Sequence, residues 1–172
     1  KFAGAYHGHS DGLLADAVPY ALAASDYALA GGLLEQIGSR VALNGEVQTV
    51  LSWLNALPAS FVRQNPLLGL NHAVCLMFTN QLAEAEQRLA VLSARAATTI
   101  ERARVTCLQV DLYTTLDQGS RAIAVGLDYL RRLGIDWSPH PTEDEARREY
   151  ERIWSQLGSR TIESLIDLPL MN

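Results

Sequence analysis

A chain of 172 residues, 48% of them hydrophobic and 19% charged, is long enough to bury one substantial core and is close to the usual size of a single domain. Its formal net charge of -5 is the wrong sign for a phosphate-backbone partner, so nucleic acid is excluded as an expected ligand. No apolar run is long enough to span a membrane and no basic segment precedes a short apolar one, which predicts a soluble, cytoplasmic protein without a membrane partner.

The chain opens KFAGAYHGHSDGLL (1–14), where His7, His9 and Asp11 form a His-x-His-x-Asp pattern. On an extended segment this spacing puts two imidazoles on one side, as some zinc sites begin, but such sites need further ligands and only His72 and His140 remain. Residues 1–12 are therefore expected to be a loosely attached segment, with no metal and no cofactor, ahead of one helical domain over 13–172.

From about Leu13 to Leu133 the apolar residues recur at helical spacing, with no sustained alternation of the kind that marks strands. In EVQTVLSWLNAL (46–57), Val47, Val50, Leu51, Leu54 and Leu57 form one stripe, and Pro58 ends the helix. PLLGLNHAVCLMFTN (66–80) starts with Pro at a first helical position and is apolar nearly all round, which predicts a helix in the middle of a bundle. LAEAEQRLAVLSARA (82–96) is amphipathic again.

Thr98 with Glu101 makes a capping box, so a helix is expected to start there and run to about Asp117. It carries two apolar stripes: Ile100, Ala103, Cys107 and Val110 on one side, and Val105, Leu108, Leu112 and Leu116 nearly opposite. That predicts packing between two neighbours. Cys75 and Cys107 stand among apolar neighbours without a CxxC pairing, and both are expected to be buried, reduced thiols rather than a disulfide or a ligand pair.

A weak internal repeat runs through the same region. SDYALAGGLLE (25–35), NQLAEAEQRLA (80–90) and DQGSRAIAVGL (117–127) each show a polar turn followed by a helix. With Tyr27, Leu82 and Gly119 taken as equivalent, Ala30, Ala85 and Ala122 align, small residues that let the second helix of a hairpin approach closely. The uneven spacing excludes a regular 34-residue array and leaves a degenerate tetratricopeptide-like one. The expected fold is all-α, about eight or nine helices in irregular tetratricopeptide-like hairpins, as an α-solenoid or bundle.

GIDWSPHP (134–141) reads as a linker. Thr142 and Glu145 form a second capping box that opens C-terminal helices over 142–172, with acids first and arginines later. Here Ile153, Trp154, Leu157, Ile162, Leu165, Ile166 and Leu168 are too many apolar side chains for an uncovered surface. They must fold back on Trp137 or meet a second copy, and a homo-oligomer is the expectation. The missing Met at the start and the uncapped LPLMN at the end suggest an excised piece of a longer chain.

The candidate ligand-binding residues are Arg102, Gln109 and Tyr113, which share one polar side of the long helix between its two stripes. His72 with Cys75 reads as core rather than as ligands, and Arg131-Arg132 and Arg147-Arg148, beside Glu143, Asp144, Glu145, Glu149 and Glu151, as a solvated, ion-paired face.

Three resemblances cover different parts of the chain. Ala21 to Leu92, through its SDY turn, LSWLNALP with Trp53, the run from Phe61 to Pro66, and NQLAEAEQRL, resembles the tetratricopeptide-like sensor region of large LuxR-type, maltotriose-activator-like transcription activators. Thr98 to Asn172, through RAIAVGLDYLRRLGIDWSPHPTEDEARREYERIW and IESLIDLPLM, resembles the helical segment of multisensor ATPase/kinase signalling proteins. Both imply non-catalytic helical repeats. KFAGAYHGHSD is similar to the strand-and-turn motif of class III, pyridoxal-phosphate-dependent aminotransferases, where Tyr6 would lie near the cofactor ring. That chemistry needs a lysine amine, and the only lysine, Lys1, lies within the motif itself.

The function expected is a non-enzymatic scaffold or sensor module that binds a protein partner or a small ligand in a helical groove. A variant is a chimera assembled from natural fragments, with no native function. The alternative is a fragment of a metal- or pyridoxal-phosphate-dependent enzyme using Tyr6, His7, His9 and Asp11.

Overall fold

The computed structural model describes residues 3–161, with side chains from 13 onward except those of 39, 40 and 43. Among the described residues the chain is all helical, in nine α-helices: α1 (Ala3–Ala23), α2 (Tyr27–Val41), α3 (Val47–Ala56), α4 (Ala59–Gln64), α5 (Pro66–Phe78), α6 (Leu82–Arg95), α7 (Thr99–Thr115), α8 (Gly119–Arg132) and α9 (Glu143–Leu157). No described helix is long and apolar enough to cross a membrane.

The same turn closes three of the hairpins. After α1, α5 and α7 one residue, Ser25, Asn80 or Asp117, takes a left-handed conformation with φ of 57, 59 and 57°. The next N–H then reaches back five residues, from Asp26 to the Ala21 carbonyl (2.9 Å), Gln81 to Leu76 (2.8 Å) and Gln118 to Tyr113 (2.8 Å). This six-to-one bond, with the shorter one inside it, satisfies carbonyls that a helix end would otherwise leave open. The carbonyl of that same residue accepts the first bond of the new helix, from Ala30, Ala85 and Ala122. Tyr27, Leu82 and Gly119 are thus the first residues of α2, α6 and α8, and the three alanines are buried, as the aligned segments anticipate.

Packing follows from these turns. α1 lies on α2, α5 on α6, and α7 on both α6 and α8. The apolar α5 touches α2, α3, α4, α6 and α7, and it buries Leu68, Leu70, Ala73, Cys75 and Leu76. One core runs from Val18 through Leu34, Ile37, Val50, Leu54, Leu68, Leu76 and Leu89 to Leu112. The short helix α4, which the sequence pattern did not suggest, lays Phe61 against α2 where Gly31 leaves room: a Cβ there would lie 2.5 Å from Phe61 Cε1. Between α2 and α3 a wide turn, Ala42–Glu46, depends on Gly45 at φ 98°.

Both capping boxes form. The Thr98 hydroxyl accepts from the Glu101 N–H at 3.1 Å while Glu101 Oε2 accepts from the Thr98 N–H at 3.1 Å, and Thr142 and Glu145 repeat the arrangement. These backbone bonds hold both carboxyls below the usual carboxylate range.

One expectation is corrected. Cys107 is exposed, not buried. α7 buries Val105 and Leu112, but α8 approaches beside the Ile100/Cys107 stripe, with Val110 near Gly126, and leaves Ile100 66% exposed. The backbone over 3–12 is helical, within α1, and so lacks the extended geometry that would put His7 and His9 on one side. Ile162, Leu165, Ile166 and Leu168 lie outside the described residues.

Ser25 carries the left-handed φ without the local side-chain compensation that Asn and Asp bring, so Ser25→Gly is expected to raise the unfolding free energy measured by urea denaturation, by up to about 1 kcal/mol. Asp117→Val, with a branched Cβ at the same φ, lowers stability by at least about 1 kcal/mol in the same assay. For the thiols, Cys75 is buried and its pKa is pushed up to about 11 by that burial. An aromatic disulfide reagent is expected to label Cys107 in the native protein and Cys75 only in denaturant.

Candidate functional site

The polar side of α7 forms one wall of an open groove of about 360 Å³, with α8 opposite and Ser93 of α6 at one end. Arg102, Thr106 and Gln109 stand four and three residues apart, so they share a helix face. Asp128, Tyr129 and Arg132 face them from α8. Their neighbours fix these groups. Arg102 Nε donates to the Ala96 carbonyl at 3.1 Å and its Nη2 to the Ala97 carbonyl at 3.4 Å, so the guanidinium covers the turn between α6 and α7. Arg132 donates through Nε and Nη2 to Asp128 Oδ2, at 3.1 and 3.0 Å. The Tyr129 hydroxyl donates to the Thr99 carbonyl at 3.4 Å. With Asp128 balanced by Arg132, the groove retains one net positive charge on Arg102.

Tyr113 continues the same face but does not line the groove. It is buried, and Arg121 of α8 closes over it, with the guanidinium carbon 4.0 Å from the ring centroid and Nη2 3.0 Å from the hydroxyl. Arg121 also bonds Glu86 of α6 and Gln118, each at 2.6 Å. Glu86, Tyr113 and Arg121 therefore tie α6, α7 and α8 together. Burial raises the Tyr113 pKa, and the Glu86 bond raises that of Arg121. Of the three candidates, Arg102 and Gln109 come together on the groove and Tyr113 is structural. Sequence spacing alone could not distinguish them, because Arg121 and Glu86 arrive from other helices.

The remaining candidates divide as follows. Arg131, Arg132 and Arg147 pair with Asp136, Asp128 and Glu143 at 3.3, 3.0 and 3.0 Å, all well exposed, where such pairs contribute little. Tyr6, His7, His9 and Asp11 lie on the α1 backbone, and their side chains are outside the described residues. Among the described residues no group of three or more His, Cys, Asp or Glu is placed to hold a metal ion. No family model, curated protein or solved structure matches the chain.

His72 is the one buried polar residue among those described, 3% exposed on α5. Burial and then the Arg88 charge push its pKa down to about 4. The folded protein holds this imidazole neutral while the unfolded chain takes up a proton near pH 6.5. Stability from this group is full above pH 6.5 and falls as the pH drops from 6.5 to about 4, by roughly 3 kcal/mol over the window. Urea midpoints measured from pH 7 to pH 4 are expected to show this loss, and His72→Leu to flatten it.

Proposed function

We propose that this chain is a non-enzymatic helical module, its hairpins stacked in an irregular tetratricopeptide-like array, that holds a small polar ligand or a protein segment in the groove between α7 and α8. The observation that carries this reading is the meeting of Arg102, Thr106 and Gln109 with Asp128, Tyr129 and Arg132 across about 360 Å³ of open space. Two packed helices hold these side chains, and several of the polar groups are fixed in place by bonds to their own chain, so the groove offers a few positioned polar groups to a ligand. The resemblances to sensor and signalling helical regions point the same way.

Gln109 is the group best placed to read a ligand, since it lines the groove and its side-chain amide has both a donor and an acceptor. The test is a nitrogen-edited NMR titration of the full chain against a panel of short peptides and small carboxylic acids. The expected result is saturable shifts at Thr106, Gln109, Ala124 and Tyr129, weakened at least about fivefold by Gln109→Ala while the melting temperature is unchanged. Saturable shifts confined to other surfaces, or no saturable shift at millimolar ligand, would overturn the reading.

A further inference from the structure

α9 is the one helix that the rest of the described chain leaves bare: none of its residues is buried, and it makes no substantial contact with another helix. Its apolar residues nevertheless form a clean seam. Ala146, Tyr150, Ile153 and Leu157 follow four, three and four residues apart, the spacing at which a helix meets one other helix, and they occupy about 60° of the helix surface. Trp154 flanks the seam, its ring edge-on to Tyr150 at 5.9 Å. Tyr150 is 60% exposed, Ile153 64% and Trp154 44%. The linker lies along the Glu145/Glu149 side of α9 and reaches Ala146 at the start of the seam, while Tyr150, Ile153 and Leu157 do not line that pocket.

The charges on α9 select the occupant. The first turn carries Glu143, Asp144 and Glu145. At the other end Arg160 is anchored on the helix, Nε to the Leu157 carbonyl at 3.3 Å and Nη2 to the Gln156 carbonyl at 3.2 Å. One end is acidic and the other basic. A second α9 laid parallel would bring acidic turn against acidic turn, whereas laid antiparallel each acidic turn meets an arginine end.

We infer that α9 is a homodimerisation element that pairs antiparallel with a second copy of this chain. In the register that centres the seam, Tyr150 lies level with the partner's Ile153, Ala146 with the partner's Leu157, and Glu143 with the partner's Arg160. Arg147 and Trp154 sit on the same flank of the seam, so each Arg147 approaches the partner's Trp154, where a guanidinium over an indole face is attractive. The seam is short, which places the affinity in the micromolar range rather than below it.

Sedimentation equilibrium of the full chain from about 1 to 100 µM tests this, and a dimer forming across that range is expected. Ile153→Glu, an exposed substitution, is expected to weaken association at least about tenfold while far-ultraviolet circular dichroism and the melting temperature of the monomer stay unchanged. Orientation is read by mixing. Arg160→Glu and Glu143→Arg chains each associate more weakly alone, and an equimolar mixture regains the affinity of the unmodified protein, because each acidic end then faces a basic one. A chain that stays monomeric at 100 µM would overturn the inference. So would a monomer destabilised by Ile153→Glu, since the face would then be covered by the chain's own C-terminal residues, and so would failure of the mixture to recover.

Discussion

The left-handed residue after α1, α5 and α7 is the constraint from which the rest of the packing follows. Once Ser25, Asn80 or Asp117 turns the chain, the following residue both closes the old helix and starts the new one, so the second helix has almost no freedom of direction. A fully buried or nearly buried alanine four residues into that helix then becomes necessary, because a larger side chain would hold the two helices apart. The groove between α7 and α8 and the hold of Arg121 on Tyr113 and Glu86 both inherit their geometry from the turn at Asp117.

Much of this was legible in the chain itself, for physical reasons. The capping boxes at Thr98 and Thr142 act over three residues, so sequence and structure carry the same information there. α5 is apolar on every side, which only a central position can accommodate, and it does touch five other helices. The three aligned alanines are visible because the turn before each repeats at a constant offset.

Other features depend on where a neighbour arrives, and periodicity is silent about that. The two apolar stripes of α7 look equivalent in sequence, yet the core covers Val105 and Leu112 while α8 settles beside Ile100 and Cys107. Tyr113 reads as a groove residue because it shares a face with Arg102 and Gln109. Only the arrival of Arg121, eight residues on, and Glu86 from α6 makes it a tie between helices. The short α4 escapes pattern reading altogether, since six residues hold too few turns to show a period.

The tight turns also bear on how quickly the chain finds its structure. Each hairpin joins residues close in sequence, so little loop-closure entropy is lost before its contacts form, and any of the three can nucleate without waiting for the others. Topology of this kind belongs with fast-folding helical proteins, in which long-range pairing is not the slow step. The exception is α5, whose packing against α2 and α3 brings together more distant segments. Assembly of that central helix onto its earlier neighbours is the event that would set the rate.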